Sequence, residues 1–153
     1  MEGNKEIIVR AVYGRTRLTF RKVIRMTYDE GSVLGCTICG ANAKVVSIEN
    51  VSDKSKKIKT EVQFDIHIWY RVDNVTKVIK MGTVFTDKFE IIKFGSGFYS
   101  NEEAFVWLKE DPRCLETIHI INPEKNQSAI QIEYTLGAEI IGDTALNVKV
   151  FET

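Results

Sequence analysis

Residues 58–70 read IKTEVQFDIHIWY, and their alternation decides the fold. Ile58, Val62, Phe64, Ile66, Ile68 and Tyr70 share one parity, with Thr60 in register. Lys59, Glu61, Gln63, Asp65, His67 and Trp69 share the other. Successive side chains of a strand point to opposite faces, so this stretch predicts a long antiparallel strand, half in a core and half in water.

The same period spreads in both directions. Upstream, EIIVRAVY (6–13), RLTFRKVIRMTY (17–28), SVLGCTIC (32–39) and AKVVSIENV (43–51) read as strands. Downstream, KVIKMGTVF (77–85), KFEIIKF (88–94), CLETIHII (114–121), SAIQIEYTLGAEII (128–141) and ALNVKVF (145–151) complete the set. Turn residues separate the runs in ENVSDKSKK (49–57), RVDNVT (71–76), INPEKNQ (121–127) and IIGDTA (140–145). The last reads as a tight hairpin about Gly142-Asp143. One segment, SNEEAFVWLKEDP (100–112), reads differently. Ser100 suits an N-cap and Glu103 completes a capping box. Ala104, Phe105 and Leu108 then form a helical stripe that Pro112 stops. The expectation is an all-β chain, mainly an antiparallel β-sandwich, with one short helix near residues 101–110.

A chain of 153 residues, 44% hydrophobic and 27% charged, suits one β-rich domain over residues 1–153. Folding at this length buries about 68–70% of the unfolded surface, so neither a metal nor a disulfide is needed to hold it. The formal net charge is zero. That gives no global attraction to nucleic acid and leaves self-association unopposed. No apolar run reaches the roughly 20 residues of a spanning helix, so membrane insertion is not expected. MEGNKEIIVR lacks the regions of a secretory leader, and three cysteines form no dense framework. Both features predict cytoplasmic residence.

Chemistry, if present, centres on LGCTICG (34–40), where Cys36 and Cys39 have a Cys-x-x-Cys spacing. On a strand these residues lie about 10 Å apart on opposite faces. A disulfide needs Cα atoms within about 7 Å, and one metal needs both sulfurs at about 2.3 Å. Only a turn at Gly35 or Gly40 restores the pair. A thioredoxin-type centre also needs a following helix, whereas GANAKVVSIENV reads as turn and strand. Cys114, His67 and His119 are further candidate ligands, but no second Cys-x-x-Cys or His-x-x-x-His pair joins them. A small thiol-redox or zinc-binding protein using Cys36 and Cys39 is the alternative reading, and a ligand-binding sandwich is another. There is no Gly-x-Ser-x-Gly elbow, and FGSGFYS (94–100) lacks a phosphate-loop pattern. No catalytic residue, cofactor or metal is expected.

Charge is locally uneven. Lys5, Arg10, Arg15, Arg17, Arg21, Lys22 and Arg25 crowd the start, while Glu102, Glu103, Glu110, Asp111 and Glu116 crowd a later segment. These are solvated faces, or complementary patches between identical chains, with nucleic-acid binding by the arginine stretch a third reading that no aromatic stacking motif accompanies.

Five segments, in order, carry a resemblance: KEIIVRAV (5–12), SVLGC (32–36), FDIHIWY (64–70), CLE (114–116) and AEIIGDTALNVKV (138–150). Together they resemble the spore coat protein E (CotE) family of endospore-forming bacilli, across roughly residues 5–152. The resemblance implies a non-enzymatic, self-assembling scaffold. Such proteins are made in the mother-cell cytoplasm, deposited on the spore through a basement-layer coat protein, and recruit outer-coat proteins. Family members of the bacillus type carry an acidic C-terminal tail tied to that recruitment, whereas this sequence ends at VKVFET. The family cysteines match Cys36 and Cys114, and Cys39 departs from the pattern. Expected interface residues are Arg15, Arg17, Arg21, Arg25, His67, Trp69 and Arg71. Cys36, Cys39 and Cys114 are candidates for intermolecular disulfides once the mother cell lyses. Expected partners are further copies of the chain and other coat proteins.

Overall fold

Among the described residues, the runs of alternating residues fuse into six strands longer than the sequence suggests. A computed structural model of the chain describes residues 2–27, 32–95, 97–122 and 125–151. Its strands are β1 (Glu2–Thr27), β2 (Ser32–Ser52), β3 (Ser55–Val72), β4 (Val75–Ile92), β5 (Ser100–Asn122) and β6 (Lys125–Phe151). All pairings are antiparallel, in two three-stranded sheets ordered β1-β6-β5 and β2-β3-β4. Register shifts let a strand bend without ending. One lies between Val12 and Gly14 of β1, and another between Cys39 and Asn42 of β2, where Gly40 has φ 65°.

The chain is all-β, with no helix among the described residues. β3 and β6 are the central strands and carry the most buried faces. Ile58, Val62, Phe64, Ile66 and Ile68 of β3 meet Ile130, Ile132, Tyr134, Leu136 and Ile140 of β6 in the core. The alternation of residues 58–70 thus sets the inner face of one sheet, as expected. RVDNVT is a two-residue hairpin, with φ 48° at Asp73 and 62° at Asn74, the positive values of a type I′ turn.

Two local expectations are corrected. Residues 101–110 are strand, not helix. Ala104, Val106 and Leu108 face the core while Phe105 and Trp107 face out, so period two prevails over the capping box. The outward aromatics are accommodated because β6 offers Gly137 beneath Trp107. The second correction is at Gly142-Asp143, which is not a hairpin: β6 runs straight through it, with Gly142 opposite Ala11 and Asp143 opposite Arg10. Glycine stands there for close approach. A Cβ would meet Tyr13 Cε1 and Tyr99 Cβ, each at 3.0 Å. The INPEKNQ turn includes Pro123 and Glu124, which lie outside the described residues.

The sheets are joined along both sides. On one, Gly14 of β1 bridges Lys93, and the Phe94 N–H donates to the Tyr13 carbonyl at 2.7 Å. On the other, β2 and β5 are tied by a disulfide between Cys36 and Cys114.

Candidate functional site

Strand parity places the three cysteines. Cys36 turns inward and bonds Cys114, with Cα atoms 6.4 Å apart. Cys39, three residues along β2, faces outward as an exposed free thiol. The structure therefore does not bring Cys36 and Cys39 together. With Cys36 and Cys114 bonded to each other, Cys39 is the free thiol of the three. Among the described residues no group of three His, Cys, Asp or Glu side chains is placed to hold a metal ion. His119 is in β5, opposite Ser128, but its side chain lies outside the described residues.

Three of the expected basic interface residues of β1, Arg15, Arg17 and Arg21, are engaged within the chain, on the outer face of the first sheet. Arg15 Nη2 lies 2.8 Å from Glu139 Oε1, and Arg17 Nη2 lies 3.5 Å from Glu110 Oε1. Arg21 and Arg113 grip the two oxygens of Glu133, each at 2.8 Å. That grip, the Arg113 hydrogen bond first and then Arg21, holds the Glu133 carboxyl below the usual range. Thr135, fully buried, meets Thr19 at 2.8 Å and donates to Glu110 at 3.1 Å. The acidic segment and the basic strand are thus cross-strand neighbours through β6, paired within the chain. Arg25 is exposed, opposite Ala129.

The outer face of the second sheet carries the remaining expected residues. Each sits on a three-strand rung: Gly35, Trp69 and Val78; Thr37, His67 and Lys80; Ser32, Arg71 and Thr76. Trp69 is half-buried, with glycine on one side and an exposed valine on the other. The edges of the sheets differ. The pairings of β2 and β5 each shift register at four places, and β5 contains Pro112. β4 runs against β3 from Ser55↔Ile92 to Val72↔Val75 without a shift. Bulges and proline blunt an edge against strand addition, so β4 is the straight one.

Among the described residues, two polar clusters cross the space between the sheets, and neither was anticipated. In one, Asp87 of β4 accepts hydrogen bonds from Lys22 of β1 and Tyr134 of β6. Burial first, then the bond and charge of Asp87, pushes the Tyr134 phenol well above its ordinary range. In the other, Glu102 of β5 meets Lys56 of β3 at 2.7 Å and accepts the Tyr13 hydroxyl, while Lys56 also meets Asn50 of β2. This second cluster floors a pocket of about 580 Å³ that includes Asp53, Lys93, Phe98 and Tyr99. The signal for these residues is parity. Lys22 shares the parity of Phe20 and Ile24, Lys56 that of Ile58, Asp87 that of Phe85 and Phe89, and Glu102 that of Ala104.

No curated protein and no solved structure matches the chain. Residues 3–153 match the family model described as outer spore coat protein E (CotE), and the chain belongs to that family.

Proposed function

We propose that this outer spore coat protein is a non-enzymatic scaffold that assembles with further copies of itself and recruits other coat proteins, after synthesis in the mother-cell cytoplasm. The observation that carries this reading is the family match along residues 3–153, essentially the whole chain. Three features support it. The outer face of β3 offers Trp69 beside Gly35 and Val78, a half-exposed aromatic of the kind that anchors interfaces. The unshifted β4 edge offers backbone groups to an incoming strand. Exposed Cys39 is a point where neighbours become covalently linked after oxidation.

Size measured by light scattering and negative-stain imaging tests the scaffold reading. Large, regular, concentration-dependent particles are expected. A strict monomer at every concentration overturns it. Trp69→Ala is expected to shrink the particles while circular dichroism keeps its strand signature.

A further inference from the structure

Asn50 and Lys56 stand directly opposite each other where β2 pairs with β3. Lys56 is 4% exposed, and its Nζ lies against the Asn50 carboxamide oxygen. From the other sheet, Glu102 Oε1 lies 2.7 Å from the same Nζ. The Tyr13 hydroxyl donates to Glu102 Oε2, and the Tyr13 ring stacks on Tyr99 with centroids 4.1 Å apart. An amine, a carboxamide and a carboxyl group therefore share one corner behind aromatic rings.

Burial, and then the charge of Lys93, lowers the Lys56 pKa and favours its neutral amine. Burial raises the Glu102 pKa and favours its protonated acid. Amide exchange needs those two states: a lone pair on the nucleophile and a proton donor beside the carboxamide. Two side chains held in contact also reach an effective concentration that free lysine and asparagine never reach in water.

We propose that Asn50 and Lys56 form a self-modification site, at which an isopeptide bond closes between Lys56 Nζ and Asn50 Cγ with Glu102 shuttling the proton. Lys56 Nζ attacks Cγ, and the Glu102 proton passes to the carboxamide oxygen. The attacking nitrogen returns a proton to Glu102, which delivers it to Nδ2. The Cγ–Nδ2 bond then breaks, ammonia departs, and the oxygen returns its proton to Glu102 as the carbonyl re-forms. One amine and one primary amide give one secondary amide and one ammonia, with no oxidant, reductant or cofactor. The product replaces a buried cation with a neutral amide and so removes the desolvation cost of that cation. Because the bond closes only the short hairpin from Asn50 to Lys56, it restrains the unfolded chain little, and relief of the buried charge is its main physical effect.

The test is the intact mass of the folded full chain after reduction of its disulfide, followed by tryptic mapping. The expected mass is one ammonia below that of the sequence. Trypsin should leave residues 45–54 joined to residues 55–57, because cleavage after Lys56 is blocked. Asn50→Ala, Lys56→Arg and Glu102→Gln should each restore the full sequence mass, with the Cys36–Cys114 disulfide retained as the mark of a native fold. A folded wild-type chain of full sequence mass, with peptides ending at Lys56, overturns the proposal. So does an ammonia loss that survives Lys56→Arg. Loss of water in place of ammonia puts the bond on Glu102 and overturns the assignment to Asn50.

Discussion

Cys36 and Cys114 close a loop 78 residues long, and they do so between edge strands of opposite sheets. The bond joins β2 and β5, the two edges whose pairings are most often interrupted by bulges. Such a crosslink stabilises mainly by restricting the unfolded chain, by about 2–4 kcal/mol for typical native bridges. Cys36→Ser is expected to lower stability by that amount in urea titration, and reduction of the wild type should match it. Cys39→Ser should leave the midpoint unchanged, since that thiol is exposed and unbonded.

Asp87 is the acceptor on which Lys22 and Tyr134 converge from the opposite sheet, and Thr60 Oγ1 also donates to the Asp87 carbonyl at 3.4 Å. Removing one member of a buried ion pair leaves the other charge uncompensated, at a cost of about 3–5 kcal/mol. Losing one hydrogen bond to a charged acceptor costs about 1.5–3 kcal/mol. Asp87→Ala is therefore expected to be more destabilising than Tyr134→Phe, which leaves the Lys22–Asp87 pair in place. Equal losses for the two variants in denaturant titration would contradict this account.

These clusters mark where local pattern ends. The inner faces of β3 and β6 are legible because every second residue is apolar and only one parity suits a core. The same parity turns Lys22, Lys56, Asp87 and Glu102 inward, but their charge argues for water. What settles the conflict is a partner far along the chain: Lys22 and Asp87 are 65 residues apart, and Lys56 and Glu102 are 46 apart. No local window contains both members. Residues 101–110 fail for a related reason. Phe105 looks like part of a buried helical stripe until pairing with β6 turns it outward and sets Gly137 beneath the Trp107 indole. The disulfide was half legible: strand geometry excludes Cys36 with Cys39, but the meeting of Cys36 and Cys114 depends on how two sheets stack. On the surface, basic β1 and the acidic segment read as opposed patches, and only the order β1-β6-β5 shows that β6 brings them together within one chain.

Gly137 is the floor under Trp107. A Cβ at that position would come within 2.4 Å of Trp107 Cε2 and 2.5 Å of Cζ2. Neither the β6 backbone nor the indole can accept that overlap, so Gly137→Ala must displace the ring from its place over β6. Overpacking of this kind typically costs about 1–3 kcal/mol. The expected result is a lower melting temperature and a red-shifted Trp107 emission, read in a Trp69→Phe background. Adding Trp107→Ala to Gly137→Ala should make the alanine at 137 nearly neutral, a coupling that a double-mutant cycle measures directly.

Acid should weaken the fold through the carboxylates that the arginines hold. The Arg113 hydrogen bond, then that of Arg21, keeps the Glu133 carboxyl below the usual range, and Asn101 then Arg10 do the same for Asp143. A carboxyl whose pKa is depressed by folding binds fewer protons in the native state than in the unfolded one. Its contribution is complete above the unfolded pKa and disappears as pH falls through the lower, folded value. Glu102 has the opposite sign: its pKa is raised by burial, so its contribution is lost as pH rises through the folded value. Thermal melts across a pH series at constant ionic strength should therefore show the wild-type midpoint falling below the ordinary carboxylate range. Glu133→Gln should start from a lower midpoint near neutrality and decline less steeply, because the group that titrates is gone. An identical slope for the two proteins would mean that the Arg21–Glu133–Arg113 grip contributes nothing to the acid response.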